Sequence, residues 1–269
     1  MNILLLGDVV GPSGRKAISE KLPNLIKKKK VDFVILNGEN AADPGVGITK
    51  ENFDDFLNAG ANVVTTGNHV WDQKETSEFI TSEKRLLRPK NLPIGSPGNG
   101  SGIFFTKNNK KVVVINLMGN IYMKKCEDVF QEAKKFLQDF QLKKNADFIV
   151  DDLHAEITSE KMAMGYMFDG KATMVVGTHT HVPTSDHRIL EKGTAYQTDI
   201  GMCGDYNSVI GMNRDNSLKK FFKDPSAKKH YPALGEATIS GLMVKADDET
   251  GLAKKVEPII IGGVLESSK

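Results

Sequence analysis

At 269 residues, 39% of them hydrophobic, the chain can form one large α/β domain with a proper core, and no linker-like stretch divides it, so 1–269 reads as a single domain. With 36 basic against 34 acidic residues the formal charge is only +2, which gives no whole-chain case for nucleic-acid binding. Cys126 and Cys203 are the only cysteines, which excludes an all-thiolate metal site and fits a reducing, cytoplasmic setting; Met1 to Leu6 lacks a basic flank and soon meets Asp8, so neither a signal peptide nor a membrane span is expected there.

Asn2 to Leu6 reads as a buried strand running into Asp8. Pro12 and Ser13 open a helix whose stripe includes Ile18, Leu22, Leu25 and Ile26; the basic run Lys27 to Lys30 is its solvated end, where cations suit the helix dipole. Val31 to Leu36 is a second strand, and the turn Asn37-Gly38 after it carries Glu39 and Asn40. A helix from Thr49 to Asn58 starts on a capping threonine, packs Phe53, Phe56 and Leu57, and stops at Gly60. The strand Asn62 to Thr66 ends in Gly67-Asn68-His69, and a third helix is expected from about Asp72 to Ser82.

Gly102 to Thr106 and Lys111 to Leu117 flank the turn Lys107-Asn108-Asn109-Lys110 and read as an antiparallel hairpin. Val129, Ala133, Phe136, Leu137 and Phe140 recur at helical spacing, and the strand Ala146 to Asp151 follows, leading to His154. Thr173 to Val176 leads to His179 and His181. Arg188 to Leu190, Ala195 to Thr198, Ala237 to Val244 and Val256 to Ile261 read as strands of a second sheet with few helices. The expected fold is α/β: two mixed sheets packed face to face, with helices outside, in four layers.

Five strands thus run into metal-binding side chains, and in α/β sheets ligands bind beyond the carboxyl ends of strands. Oxygen and imidazole donors together suit Fe, Mn or Zn, and eight candidates exceed the needs of one tetrahedral ion, so two ions sharing a carboxylate is the economical reading. Each motif also has a plainer interpretation. Gly67-Asn68-His69 fits a tight turn, Glu39 a capped turn, and Asp8 a solvated loop acid; Gly7, Gly11 and Gly14 lack the G-x-G-x-x-G spacing of a pyrophosphate turn. His179 and His181 are harder to set aside, because an extended backbone places both imidazoles on one side. Acidic neighbours Asp151, Asp152 and Glu156 are placed to orient the second ring nitrogen of His154. His187, His230 and the contiguous Ser185-Asp186-His187 are read as structural, and Met162, Met164 and Met167 as fillers of core or interface gaps.

Gly7-Asp8, Gly38-Glu39-Asn40, Gly67-Asn68-His69, His154-Ala155-Glu156 and Gly177-Thr178-His179-Thr180-His181 together resemble the calcineurin-like metallophosphoesterase superfamily across nearly the whole chain. Val10 stands where that superfamily usually has a His, and Glu39 where it has an Asp. Those departures, with Gly193-Thr194-Ala195-Tyr196 and Asp199-Ile200-Gly201-Met202, resemble its YmdB-like branch of bacterial phosphodiesterases. The resemblance implies that Asp8, Asn40 and His181 hold one metal, that Asn68, His154 and His179 hold the other, and that Glu39 bridges them. It implies two iron ions, with manganese as the alternative, and hydrolysis of 2′,3′-cyclic nucleotides to 3′-nucleotides. A hydroxide held between the metals would attack phosphorus, with His69 protonating the departing 2′ oxygen.

Met118 to Lys125 and Cys203 to Asn213 are candidate substrate walls, although the family usually differs around Lys124 and Lys125. The nearest rival keeps the dimetal site and changes the substrate to a phosphomonoester, a phosphoprotein or another cyclic nucleotide. A second rival is a metal-containing regulatory or RNA-associated protein with incidental hydrolysis, hinted at by Lys27 to Lys30. A small-molecule phosphoester is the expected partner, and a homo-oligomer is carried without an assigned face.

Overall fold

The computed structural model describes residues 1–268. In chain order the first half contains β1 (Asn2–Leu6), β2 (Asp8–Val9), α1 (Gly11–Lys29), β3 (Phe33–Asn37), α2 (Lys50–Asn58), β4 (Val63–Thr65), α3 (Thr76–Phe79), β5 (Ser101–Phe105) and β6 (Lys111–Met118). The second half adds α4 (Val129–Asp139), β7 (Phe148–His154), α5 (Thr158–Phe168), β8 (Met174–Thr178), β9 (Arg188–Ile189), β10 (Ala195–Gln197), β11 (Met202–Cys203), α6 (Arg214–Phe221), β12 (Ile239–Ala246) and β13 (Ala253–Ile261). No described helix is long and apolar enough to cross a membrane.

Two mixed sheets carry the fold, ordered β13-β12-β1-β3-β4 and β5-β6-β7-β8-β10-β9, accompanied by a small β11-β2 pair. Strand alternation sets the layers. In the first sheet Ile3, Leu5, Phe33, Ile35 and Val63 pack against Val112, Val114, Phe148, Val150 and Met174 of the second, forming one apolar layer between the sheets. The opposite side chains of the first sheet, among them Leu4, Leu6, Val34 and Leu36, pack on Ile18, Leu22, Phe53 and Phe56 from α1 and α2. Val113, Ile115, Ile149 and Val175 of the second sheet face Ala133, Phe136, Met164 and Phe168 from α4 and α5. The four-layer sandwich is therefore present, and the hairpin pairs as expected, Gly102 opposite Val114.

Local chemistry explains several boundaries. Pro12 sits in the first turn of α1, and Lys30 closes it at φ 51° with its N–H on the carbonyls of Ile26 and Lys27. Thr49 caps α2 by accepting from the Asn52 N–H at 3.1 Å, and the Asn52 side chain answers in a capping box.

The structure departs from the expected fold at several points. β12 and β13 join the first sheet rather than a second one, because β12 pairs antiparallel with β1 along Asn2 to Leu6. The third helix shrinks to Thr76–Phe79: Asp72 and Gln73 are spent in turns, Asp72 N–H bonding the His69 carbonyl, and Glu75 offers no side-chain cap. α5 and α6 were not foreseen. In α5 the buried face includes Glu160 and Lys161 while Met162 and Tyr166 lie outside, so no apolar stripe marks it; Met164 fills the core, and Met162 is exposed.

Candidate metal centre

The carboxyl ends of β1, β3 and β4 in one sheet and of β7 and β8 in the other open onto one site. Asp8 follows β1 through Gly7, where a β-carbon would strike the Gly201 carbonyl, and β2 pairs with β11 to hold it there. Asp8 is fully buried; its Oδ2 accepts from the His179 N–H at 3.2 Å, and its Oδ1 has no hydrogen-bond partner. That Oδ1 lies 3.7 Å from His154 Nδ1 and 3.8 Å from His181 Nε2.

His154 ends β7 with its ring fully buried. Around its Nε2 stand Glu39 Oε1 at 3.0 Å, Asn68 Oδ1 at 3.0 Å and His179 Nδ1 at 3.1 Å. Gly67 makes this approach feasible, since a β-carbon there would collide with the His154 ring and the Glu39 carboxylate. Glu39 Oε2 accepts from the His69 N–H at 3.1 Å. Asn40 donates through Nδ2 to the Gly45 carbonyl at 3.0 Å, leaving its buried Oδ1 unpartnered.

His179 and His181 reach the site by a different route from the one expected. Both lie beyond β8 with positive φ, 99° and 65°, so strand alternation does not orient them. His181 Nδ1 instead donates to the Ile210 carbonyl at 2.8 Å, which turns Nε2 toward Asp8. His179 Nε2 stands 3.3 Å from Glu156 Oε2.

Electrostatics follow from burial. Desolvation pulls the His154 imidazole down, but the Glu39, Asp8 and Asp152 carboxylates outweigh it and hold the group at about 9. For Glu39 burial pushes up, and the His154 and His69 rings bring it to about 2. Burial lifts Asp8 to about 6 against the opposing pull of His181 and His154. His179 falls to about 3 through burial and the neighbouring His154 charge.

These groups suit a cation. Glu39, His154 and His179 each present a ligand atom within 4.8 Å of the others, and two further buried oxygens, on Asp8 and Asn40, have no protein partner. Oxygen and imidazole donors of this kind fit Fe, Mn or Zn.

Sequence reasoning missed the supports. His154 Nδ1 is not oriented directly by an acid: it meets Thr178 Oγ1 at 2.9 Å, and that hydroxyl donates to Asp152 Oδ1 at 2.7 Å. Asp152 also accepts from Thr65 Oγ1 at 2.5 Å and Asn37 Nδ2 at 3.2 Å. Asp151 faces the opposite side of the strand, where burial and the Asp152 charge raise it well above the carboxylate range. His69 lies at the rim, its side chain 31% exposed, with Nδ1 on Asp72 Oδ2 at 2.6 Å. Lys124 reaches the same place, 3.5 Å from Asp72 Oδ1 and 2.5 Å from the Asn68 carbonyl. The spacing His69 to Asp72, three residues, was the available signal, masked by the expected helix start.

The family model described as YmdB-like protein matches residues 4–259. A Bacillus subtilis (strain 168) protein named 2′,3′-cyclic-nucleotide 2′-phosphodiesterase is 45% identical over 262 residues, covering 97% of each chain. The crystal structure of a protein from Mycoplasma pneumoniae described as a novel phosphatase aligns with a TM-score of 0.88 at 36% identity, covering 97% of this chain and 93% of that one. A hypothetical protein from Thermus thermophilus aligns equally, TM-score 0.88 and 35% identity, over 97% of this chain and 99% of that one. With its strand-end Asp8, Glu39, Asn68, His154 and His179 gathered at one centre and these likenesses spanning its length, the chain belongs to the YmdB-like family of metallophosphoesterases.

Proposed function

We propose that the chain hydrolyses 2′,3′-cyclic nucleotides to 3′-nucleotides at a dimetal centre, over 1–269 as one catalytic domain. The observation that carries this reading is the pair of buried, unpartnered oxygens of Asp8 and Asn40 beside the Glu39–His154–His179 cluster. The naming of the 45%-identical relative supports the substrate class. Asp8, Asn40 and His181 would hold one ion, Asn68, His154 and His179 the other, and Glu39 would bridge. When bound, the ions, iron with manganese as the alternative, supply charge to the phosphate oxygens and acidify a water.

The chain's own groups do the rest. His181 and His154 each engage their Nδ1, with Ile210 and Thr178, so that Nε2 is the nitrogen left for ligation. His69 stands at the solvent rim with Nδ1 held by Asp72, which leaves Nε2 to deliver a proton to the departing ribose 2′ oxygen. The P–O2′ bond breaks, water adds to phosphorus, and the phosphate stays on the 3′ oxygen. The Met118 to Lys125 segment, docked through Lys124 on Asn68 and Asp72, forms one wall.

The test is hydrolysis of 2′,3′-cyclic AMP with 2′-AMP and 3′-AMP resolved, alongside a panel of phosphomonoesters. Formation of 3′-AMP that Asn68→Ala abolishes is expected. Turnover of monoesters alone would favour the phosphatase reading, to which the description of the Mycoplasma pneumoniae relative as a phosphatase lends support.

A further inference from the structure

The segment after Ile210 carries a surface that the chemistry at the centre does not use. From Arg214 to Tyr231 it holds six cations against two acids, although the whole chain is nearly neutral. Arg214 pairs with Asp215, whereas Lys219, Lys220, Lys223, Lys228 and Lys229 form no ion pair among the described residues. Interleaved with them are Phe221, Phe222 and Tyr231, 77%, 81% and 41% exposed. Open aromatics gathered in one segment mark an interaction surface, and the lysines interleaved with them give that surface a positive charge.

The patch is built rather than frayed. Asn213 caps α6 by accepting from the Asn216 N–H at 3.0 Å. The buried Asn216 side chain then ties the second basic run across the helix: its Oδ1 accepts from the Lys228 N–H at 2.8 Å and its Nδ2 donates to the carbonyls of Lys228 and Lys229, both at 3.2 Å. The segment is also continuous with the metal centre. Ile210 orients His181, and Asn213 N–H bonds the Tyr231 carbonyl at 2.9 Å, so the surface starts at the wall of the site and runs along a helix about 12 Å long.

Lysines that track phosphates and aromatics on which bases stack are the two components of a single-strand nucleic-acid surface. We propose that α6 and its return segment bind single-stranded RNA, so that the substrate class is an RNA strand whose 3′ end is a 2′,3′-cyclic phosphate. This inference rests on the phosphodiesterase reading. The reacting group is the same as in the mononucleotide: water adds to phosphorus, the P–O2′ bond breaks, and the strand is left with a 2′-hydroxyl and a 3′-phosphate. The charge of the patch matches the strand's phosphates, and the adjacent centre receives its terminus.

The test uses the metal-loaded full chain and an octaribonucleotide ending in a 2′,3′-cyclic phosphate, with 2′,3′-cyclic AMP as reference. At low salt the oligonucleotide should show a KM at least about tenfold lower, an advantage that fades with KCl at a log–log slope of about −0.7 per phosphate neutralised. Lys219→Ala/Lys220→Ala/Lys223→Ala should erase that advantage and leave kcat and KM for 2′,3′-cyclic AMP unchanged; Phe221→Ala/Phe222→Ala should raise the oligonucleotide KM in the same selective way. Equal KM values for the two substrates, or an advantage that survives the lysine variant, would overturn the proposal. So would sedimentation showing that the substitutions change only the oligomeric state, which would assign the face to a second copy of the chain. Fluorescence anisotropy with a 3′-hydroxyl octaribonucleotide separates the two layers: salt-dependent binding lost in the lysine variant, with neither cyclic substrate hydrolysed, would support the surface and overturn the phosphodiesterase reading.

Discussion

Thr178→Val isolates the relay behind His154. Valine keeps the shape and removes one hydroxyl, which in the wild type lies fully buried, receives His154 Nδ1 at 2.9 Å and donates to Asp152 Oδ1 at 2.7 Å. Its loss strips one partner from a buried imidazole and one from a buried carboxylate, each worth about 1–3 kcal/mol; because Asp152 keeps Thr65 and Asn37, the expected destabilisation is about 2–4 kcal/mol. The imidazole also loses the group that fixes its ring, which should weaken metal binding by about 10- to 100-fold. Urea unfolding of chelator-treated protein reads the first quantity, and competition against a fluorescent chelator reads the second. Thr178→Ser, which retains the hydroxyl, should keep near-normal metal affinity. A valine variant as stable as wild type with unchanged metal affinity would refute the relay.

His69→Ala should lower turnover of 2′,3′-cyclic AMP by about 10²- to 10⁴-fold with metal content unchanged, read by steady-state kinetics beside elemental analysis; near-normal turnover would remove the residue from proton delivery. In chelator-treated protein the folded His154 titrates at about 9, above its unfolded value of about 6.5, so the stabilisation it gains from Glu39 is full below pH about 6.5 and is lost as pH rises through about 9. Thermal melts between those values should therefore fall, and Glu39→Gln should flatten the slope; an identical slope in the variant would exclude this pair. Gly67→Ala should cost about 1–3 kcal/mol and disrupt metal binding together, since its β-carbon meets the His154 ring and the Glu39 carboxylate; calorimetry showing neither effect would mean the loop can give way.

Much of this fold was legible because buried parallel strands write themselves as short apolar runs. β1, β3, β4, β7 and β8 fall within a few residues of where those runs placed them, and the candidate site residues lie at or just beyond their ends. What local pattern could not carry is non-local: nothing in Ala237 to Val244 states that it will pair with Asn2 to Leu6 rather than with its sequence neighbours. α5 was invisible because its inward face carries Glu160 and Lys161, the latter buried on Asp199 at 2.7 Å, in place of an apolar stripe. Within the site, residue types and positions were readable, but side-chain direction was not. His179 and His181 turn inward through left-handed backbone and an Ile210 carbonyl far along the chain, and the acid behind His154 acts through Thr178. Such supports depend on three-dimensional neighbours that no single spacing announces.

That two ions occupy this centre is the central expectation for the proposed hydrolysis. It is tested most directly by counting bound metal in the purified wild type and in two variants, Asn40→Ala and Asn68→Ala, with anomalous scattering from crystals to locate each ion. Two ions per wild-type chain are expected, flanking Glu39, with occupancy falling selectively at the Asp8 and His181 side in the first variant and at the His154 and His179 side in the second. A single ion in the wild type, or two ions elsewhere that both substitutions leave in place, would contradict the dimetal centre.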